Sequence, residues 1–164
     1  MILSPEQIIE KLRDTFKENI HTARIVKKED GCKNIKTQNI VWITLERRAF
    51  HRAVSMLHSI HPLHIACPMA SREHNDGLEL IYPFSLYSGT GNFQEMIINL
   101  VVFLPENDLR IRSVTDVVPG ILYMERETME MLGVNVEDIP DSRRLFTPDS
   151  VAKDFYPMRT KFDS

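Results

Sequence analysis

Residues 113–162 constrain the fold more than any other stretch. They read SVTDVVPGILYMERETMEMLGVNVEDIPDSRRLFTPDSVAKDFYPMRTKF. A short capped segment leads to Pro119-Gly120, then to a charged helical run, a glycine stop at Gly133 and a tail rich in Pro, Asp and Arg. Such a tail lacks the apolar residues to build a core of its own. It has the composition of a segment that lies on another surface, which points to docking rather than to a self-contained active site.

The 164 residues suffice for one domain with one core. Acidic and basic residues are interspersed and the net charge is −3, so no basic stripe tracks a phosphate backbone and nucleic acid is excluded as an expected partner. Cys32 and Cys67 form no C-x-x-C pair. Two lone cysteines fit a reducing compartment, and they cannot by themselves hold the usual four-ligand iron–sulfur cluster. The opening MILSPEQIIEKLRD is not a signal peptide, and the longest apolar stretch, Met96–Leu104, is interrupted by Asn99. A spanning helix needs about 20 apolar residues, so none is expected.

Ser4-Pro5-Glu6-Gln7 reads as a helix start with a capping box, and Ile8, Leu12 and Phe16 give the helix 5–19 one apolar face. Residues 22–28 are β-like. Asp30-Gly31 signals a turn and 32–38 a loose loop, before the strand 39–45 (NIVWITL). Helical spacing returns over 47–60, and Pro62 ends it. Strands follow at 63–69, 77–87 and 95–103, the last two joined as an antiparallel hairpin through Gly89-Thr90-Gly91. That Gly-x-Gly lacks the third glycine and the following helix of a dinucleotide site. The final helix spans 119–132. The order α-β-β-α-β-β-β-α predicts an α+β, two-layer fold, with helices packed on one face of a mixed, mostly antiparallel sheet. Residues 1–136 form the domain and 137–164 an extended irregular tail, mobile until a partner covers it.

On a helical wheel Ile121, Met124, Thr128, Met131 and Leu132 share an arc of about 100° that should face the sheet. Leu122 and Met129 form a second apolar patch, and Glu125 falls between the two. A carboxylate there is partly desolvated and needs a partner. The expectation is a clamp from Glu125 to Arg143 or Arg144 that folds the tail back, with Arg110 and Arg112 as the other nearby cations. A glutamate solvated at the helix rim is the alternative. Arg126 and Glu130 should pair on the far side, for about 0.3 kcal/mol. Glu125 and Glu127 project to different sides, so they are no acid–base couple.

His58, His61, His64 and Cys67 are spaced three apart like a row of metal ligands. Pro62 breaks the helix after Ile60, so the four cannot share a face, and a zinc site would need them to converge. Loop histidines and a buried Cys67 are expected instead, with a stand-alone metal-binding domain as the remote alternative.

Ser113-Val114-Thr115-Asp116, Pro119, Glu125-Arg126-Glu127 and Met131-Leu132-Gly133-Val134 resemble the 30 kDa subunit family of respiratory complex I. That family includes the equivalent subunits of energy-converting membrane-bound NiFe hydrogenases. Ile139–Phe146 (IPDSRRLF) and Tyr156–Arg159 (YPMR) continue the likeness, which covers about residues 77–162 well and the N-terminal half in outline. Met129-Glu130-Met131-Leu132-Gly133 is closer to the hydrogenase branch than the Tyr-Asp-containing block of complex I members.

The resemblance implies a non-catalytic peripheral subunit on the cytoplasmic side of the cell membrane. Its partners would be a large catalytic subunit and an iron–sulfur small subunit. It would hold no cofactor itself; 4Fe–4S clusters and a NiFe centre would sit on other subunits. The equivalent subunit of a complex I type NAD(P)H or F420H2 oxidoreductase acting on quinone or phenazine is the runner-up. Glu125, Arg126, Glu127, Arg143, Arg144 and Arg159 are the expected interface and clamp residues, none with a chemical step.

Overall fold

The computed structural model describes residues 2–30, 36–89 and 95–160. The chain opens with helix α1 (Pro5–Phe16), capped as its sequence requires: the Gln7 amide donates to Ser4 Oγ and the Ser4 amide to Gln7 Oε1. A short 3-10 turn, Lys17–Asn19, extends it. Strands β1 (Ile20–Asp30) and β2 (Lys36–Leu45) pair antiparallel, and helix α2 (Arg47–Ile60) follows with the bounds its periodicity gives. Next come β3 (His64–Ile65), β4 (Ala70–His74), β5 (Gly77–Leu86), β6 (Met96–Pro105) and β7 (Arg110–Arg112). A 3-10 turn, Pro119–Ile121, leads into α3 (Leu122–Leu132), and β8 (Asn135–Glu137) closes the regular structure.

The main sheet runs β1-β2-β6-β5-β3, with β4 also on β5. Only β2 and β6 are parallel; the other pairings in this sheet are antiparallel. The parallel pair is possible because α2 lies on the path between them. Even positions of β5 and β6 (Leu78, Leu80, Tyr82, Phe84; Ile98, Leu100, Val102, Leu104) are buried, as are Val41, Ile43 and Leu45 of β2. Phe50 of α2 packs on Tyr82 at 4.5 Å between ring centroids, and Ile8, Leu12 and Phe16 of α1 join the same core. The predicted α+β fold is therefore the observed one. Strand alternation puts Trp42 and Phe103 on the opposite face, where they are half-buried and exposed respectively.

Three local expectations change. The strand expected at 63–69 shrinks to the two residues of β3, because Pro68 has no amide for a ladder and restricts Cys67. The chain resumes pairing at β4, whose Ala-Ser-Arg-Glu-His sequence carries no strand signal because it forms a largely exposed edge. Lys36–Gln38, expected as loop, extends β2, held by the ladder to Lys28–Asp30. The remainder of the 32–38 loop, the Asp30-Gly31 turn's glycine and most of the β5–β6 connection lie outside the described residues. Cys67, expected to be buried, is exposed in the loop after β3. His58 accepts from the Leu63 amide at 3.3 Å and His61 stacks edge-on against Tyr87, so the histidine row splits between a helix end and a turn. No cluster of metal-ligating side chains forms among the described residues.

A second, two-stranded parallel sheet, β7 with β8, ties the segment before α3 to the segment after it. Gly133 between α3 and β8 is left-handed, with φ of 73°, and ends the helix as a C-cap. A Cβ there would lie 2.8 Å from the Tyr156 ring. Gly133→Ala should therefore lower the unfolding free energy by about 2 kcal/mol, from backbone strain and a displaced ring. Urea unfolding checks this, and an unchanged midpoint would refute it.

Candidate docking face

The wheel places α3 correctly. Ile121, Thr128 and Leu132 are buried, Met124 and Met131 half-buried, and Glu125 has 0% exposure. The partner of Glu125 differs from the expected arginine. Ser113 Oγ donates to Glu125 Oε2 at 2.6 Å, and the Val114 amide donates to Oε1 at 3.1 Å. Burial raises the Glu125 carboxyl to about 7, against the lowering effect of these two donors. With its charge disfavoured by burial and two donors on its oxygens, this carboxyl does without a cation, and the arginines act elsewhere. The Tyr82 hydroxyl, buried beneath, has no hydrogen-bond partner among the described residues, and burial together with the nearby Glu125 pushes it well above its usual range.

The clamp on the tail exists, and Arg126 and Glu130 form it. Arg126 Nε donates to the Arg143 carbonyl at 2.8 Å and Nη2 to the Arg144 carbonyl at 3.0 Å; Nη1 lies 3.4 Å from Asp141. One turn on, the Glu130 carboxylate accepts from the amides of Leu145, Phe146 and Thr147 and from the Thr147 hydroxyl. Burial opposes ionisation of Glu130, but these donors outweigh it and hold the carboxyl at about 2. The expected surface pairing of Arg126 with Glu130 is thus replaced by two separate grips on backbone. A wheel shows which side a residue is on, but not whether irregular chain covers that side.

Of the expected arginines, Arg144 is turned inward to the carbonyls of Pro148, Val151 and Ala152. Arg143 pairs with Asp141 at 2.7 Å and stays exposed. Glu127 is half-buried beside Met69 and Met131, with no ion pair among the described residues. Arg110 and Arg112 stay on β7, paired with Asp108 and Asp138.

Arg159 is the deepest arginine of the tail, 4% exposed. Its Nε donates to Glu73 at 2.8 Å and its Nη2 to both oxygens of Glu106 at 2.6 and 2.7 Å. Thr160 donates to Glu73 from both amide and hydroxyl; these bonds, ahead of the Arg159 contact and against burial, hold Glu73 at about 2. The Met158 amide bonds to the Met131 carbonyl at 3.1 Å. The tail past residue 137, expected to be extended and mobile until a partner covers it, makes contacts with its own domain at both ends. Sequence reading missed Glu73, Glu106 and Glu130 as fasteners, since each lies far from its partner along the chain.

The result is a preformed loop. Phe146, Phe155 and Met158 stand exposed on it, and Tyr123 of α3 is exposed as well. A cleft of about 240 Å³ opens between loop and helix, lined by Arg126, Glu130, Arg143, Lys153 and Tyr156 among others. Glu130→Gln should remove the negative charge that gathers three amides, raising exchange at Leu145, Phe146 and Thr147 about tenfold. Hydrogen exchange read by mass spectrometry checks it; unchanged protection would show that the loop needs no such anchor.

Two solved structures share this architecture. The chain superimposes with TM-score 0.69 on a chain in the structure of the membrane-bound sulfane sulfur reductase, an archaeal respiratory membrane complex, at 14% identity over 96% of this chain and 85% of that one. A trypsin-resistant fragment of Nqo5 matches with TM-score 0.59 and 18% identity, covering 83% of this chain and 97% of the fragment. At these identities the likeness establishes the fold. The profile described as respiratory-chain NADH dehydrogenase, 30 Kd subunit, matches residues 43–164, and the chain belongs to that family. Among curated relatives, membrane-bound hydrogenase subunit beta of Pyrococcus furiosus is 26% identical over 92% of this chain and 84% of its own length. An NADH-quinone oxidoreductase subunit of Salmonella typhimurium is also 26% identical, over 96% of this chain, but the chain spans only 27% of that protein. No described helix is long and apolar enough to cross a membrane.

Proposed function

We propose that this chain is a non-catalytic peripheral subunit of an energy-converting membrane-bound NiFe hydrogenase, bracing the large catalytic subunit in the electron-transfer arm. The observation that carries this reading is the nearly end-to-end similarity to the Pyrococcus furiosus hydrogenase subunit beta. The preformed loop supports it physically. A loop already ordered by Arg126, Glu130 and Arg159 loses little conformational entropy on binding, and exposed aromatics are the usual anchors of an interface. In this reading Phe146, Phe155 and Met158 meet the large subunit, with Arg143 and Glu127 available for charged contacts at the rim. An iron–sulfur small subunit lies nearby, 4Fe–4S clusters and the NiFe centre belong to other chains, and the assembly sits on the cytoplasmic side of the membrane.

Affinity purification of the tagged chain from its native membranes tests this. A co-eluting large subunit with two pairs of nickel-binding cysteines is expected. A large subunit lacking those cysteines would favour a complex I type oxidoreductase, and a chain that elutes alone would overturn both.

A further inference from the structure

Away from the tail, α2 and β7 enclose a cleft of about 400 Å³ lined by Arg47, Arg48, His51, Arg52, Arg110, Arg112 and one acidic residue, Glu137, with Asp116 on His51 at 2.9 Å. Five arginines around one opening stand out in a chain of net charge −3. Arg47 holds the walls together, donating to the carbonyls of Asp108 and Arg110 at 2.9 Å each and to Asp108 Oδ2 at 2.6 Å. The other four arginines are less committed. Arg48 meets Asn19 Oδ1 at 2.8 Å, Arg52 lies over the Phe16 ring at 5.6 Å, and neither meets a carboxylate among the described residues. Arg110 pairs with Asp108 and lies 3.9 Å from Glu137, and Arg112 pairs with Asp138, yet both keep more than half of their side-chain surface exposed.

The start of α2 breaks the usual rules of helix charge. Arg47 and Arg48 occupy its first turn, no acidic residue does, and the Glu46 side chain makes no capping bond. Cations at that end oppose the helix dipole and are mildly destabilising. Local rules are broken most often where a site requires it. The positive potential of backbone and side chains adds at the mouth of the cleft.

The spacing indicates the shape of the ligand. Arg48 and Arg52 are one helical step of four residues apart, about 6 Å along the axis. Arg110 and Arg112 are alternate residues of a strand, about 6.6 Å apart on one face. Carboxylates at alternate positions of an extended peptide repeat at the same distance, about 6.6 Å. An extended acidic strand carries several carboxylates at this repeat, enough to serve the arginines of both elements. We propose that this cleft binds an extended acidic segment of a protein partner, its alternate carboxylates seated between Arg48 and Arg52 on one wall and Arg110 and Arg112 on the other. The tail loop is not involved, so this surface and the docking face are separable.

The test is fluorescence anisotropy of a labelled peptide of alternating glutamate and threonine, titrated with the whole chain. Saturable, salt-weakened binding is expected, reduced about tenfold or more in R48Q/R52Q. These two arginines hold no described carboxylate, so the variant should fold; Arg112→Gln provides an independent loss from the other wall, and Arg72→Gln on the exposed edge strand β4 should leave binding unchanged. Equal binding of the glutamine-for-glutamate peptide, insensitivity to R48Q/R52Q and R112Q, or an equal loss in R72Q would each overturn the proposal. So would arginine-dependent binding of pyrophosphate without binding of the peptide, which would make the cleft a small-oxyanion site.

Discussion

Arg159→Ala is expected to lower the unfolding free energy by roughly 3 kcal/mol, because it deprives two carboxylates of the buried guanidinium on which they converge. Glu73 and Glu106 come from β4 and from the turn after β6, so Arg159 joins the tail to two separate parts of the sheet layer. Their partial exposure lets water recover some of the loss, which keeps the figure at the lower end for a buried pair. Urea unfolding reads the stability change, and limited digestion with a non-specific protease reads the tail. The variant should be cut between Asp138 and Tyr156 well before the domain is degraded. A variant as stable and as resistant as the parent would mean that the tail is held by its other contacts alone.

Glu125→Gln should alter the pH dependence of stability rather than simply reduce stability. Burial raises the folded-state carboxyl from 4.5 to about 7. The folded state therefore favours the protonated form. This contribution is fully present below about pH 4.5 and disappears as pH rises through about 7, a loss on the order of 3 kcal/mol. The side-chain amide of the variant would be neutral throughout. Its carbonyl could still accept from the Val114 amide while its NH2 group meets Ser113 Oγ. The parent should lose stability between about pH 5 and 8 while the variant stays nearly level over that range. Glu73, Glu130 and Asp108, all held at about 2, act in the opposite sense, losing their contribution as pH falls from the ordinary carboxylate range toward 2. Their window lies below that of Glu125. Parallel pH profiles for parent and variant would show that Glu125 is ionised in the fold.

The parts of the fold that were legible in sequence are those governed by periodicity. The α2 bounds follow from Phe50, Val54 and Leu57 recurring before Pro62, and β5 and β6 follow from apolar runs between turn residues. The β7–β8 pair was not legible, because two three-residue strands joined in parallel across α3 leave no pattern of their own. At the docking face the wheel identified Glu125 as a residue needing a partner. It could not supply that partner, because a backbone amide and a serine hydroxyl from the segment before the helix carry no charge to attract notice. Arg126, expected at the interface and clamp, and Glu130 were read as a surface pair on the far side of α3, since nothing in the local sequence says that residues 141–147 lie across them. Glu73 was unreadable for the same reason, being 86 residues from Arg159.

That separation bears on biosynthesis. Glu73 and Glu106 emerge from the ribosome before the arginine that joins them, so the sheet layer can form before the tail is fastened. A nascent or prematurely ended chain would show two acids without their shared cation and an uncovered flank on α3, the marks by which quality-control proteases could tell an unfinished subunit from one fit for assembly.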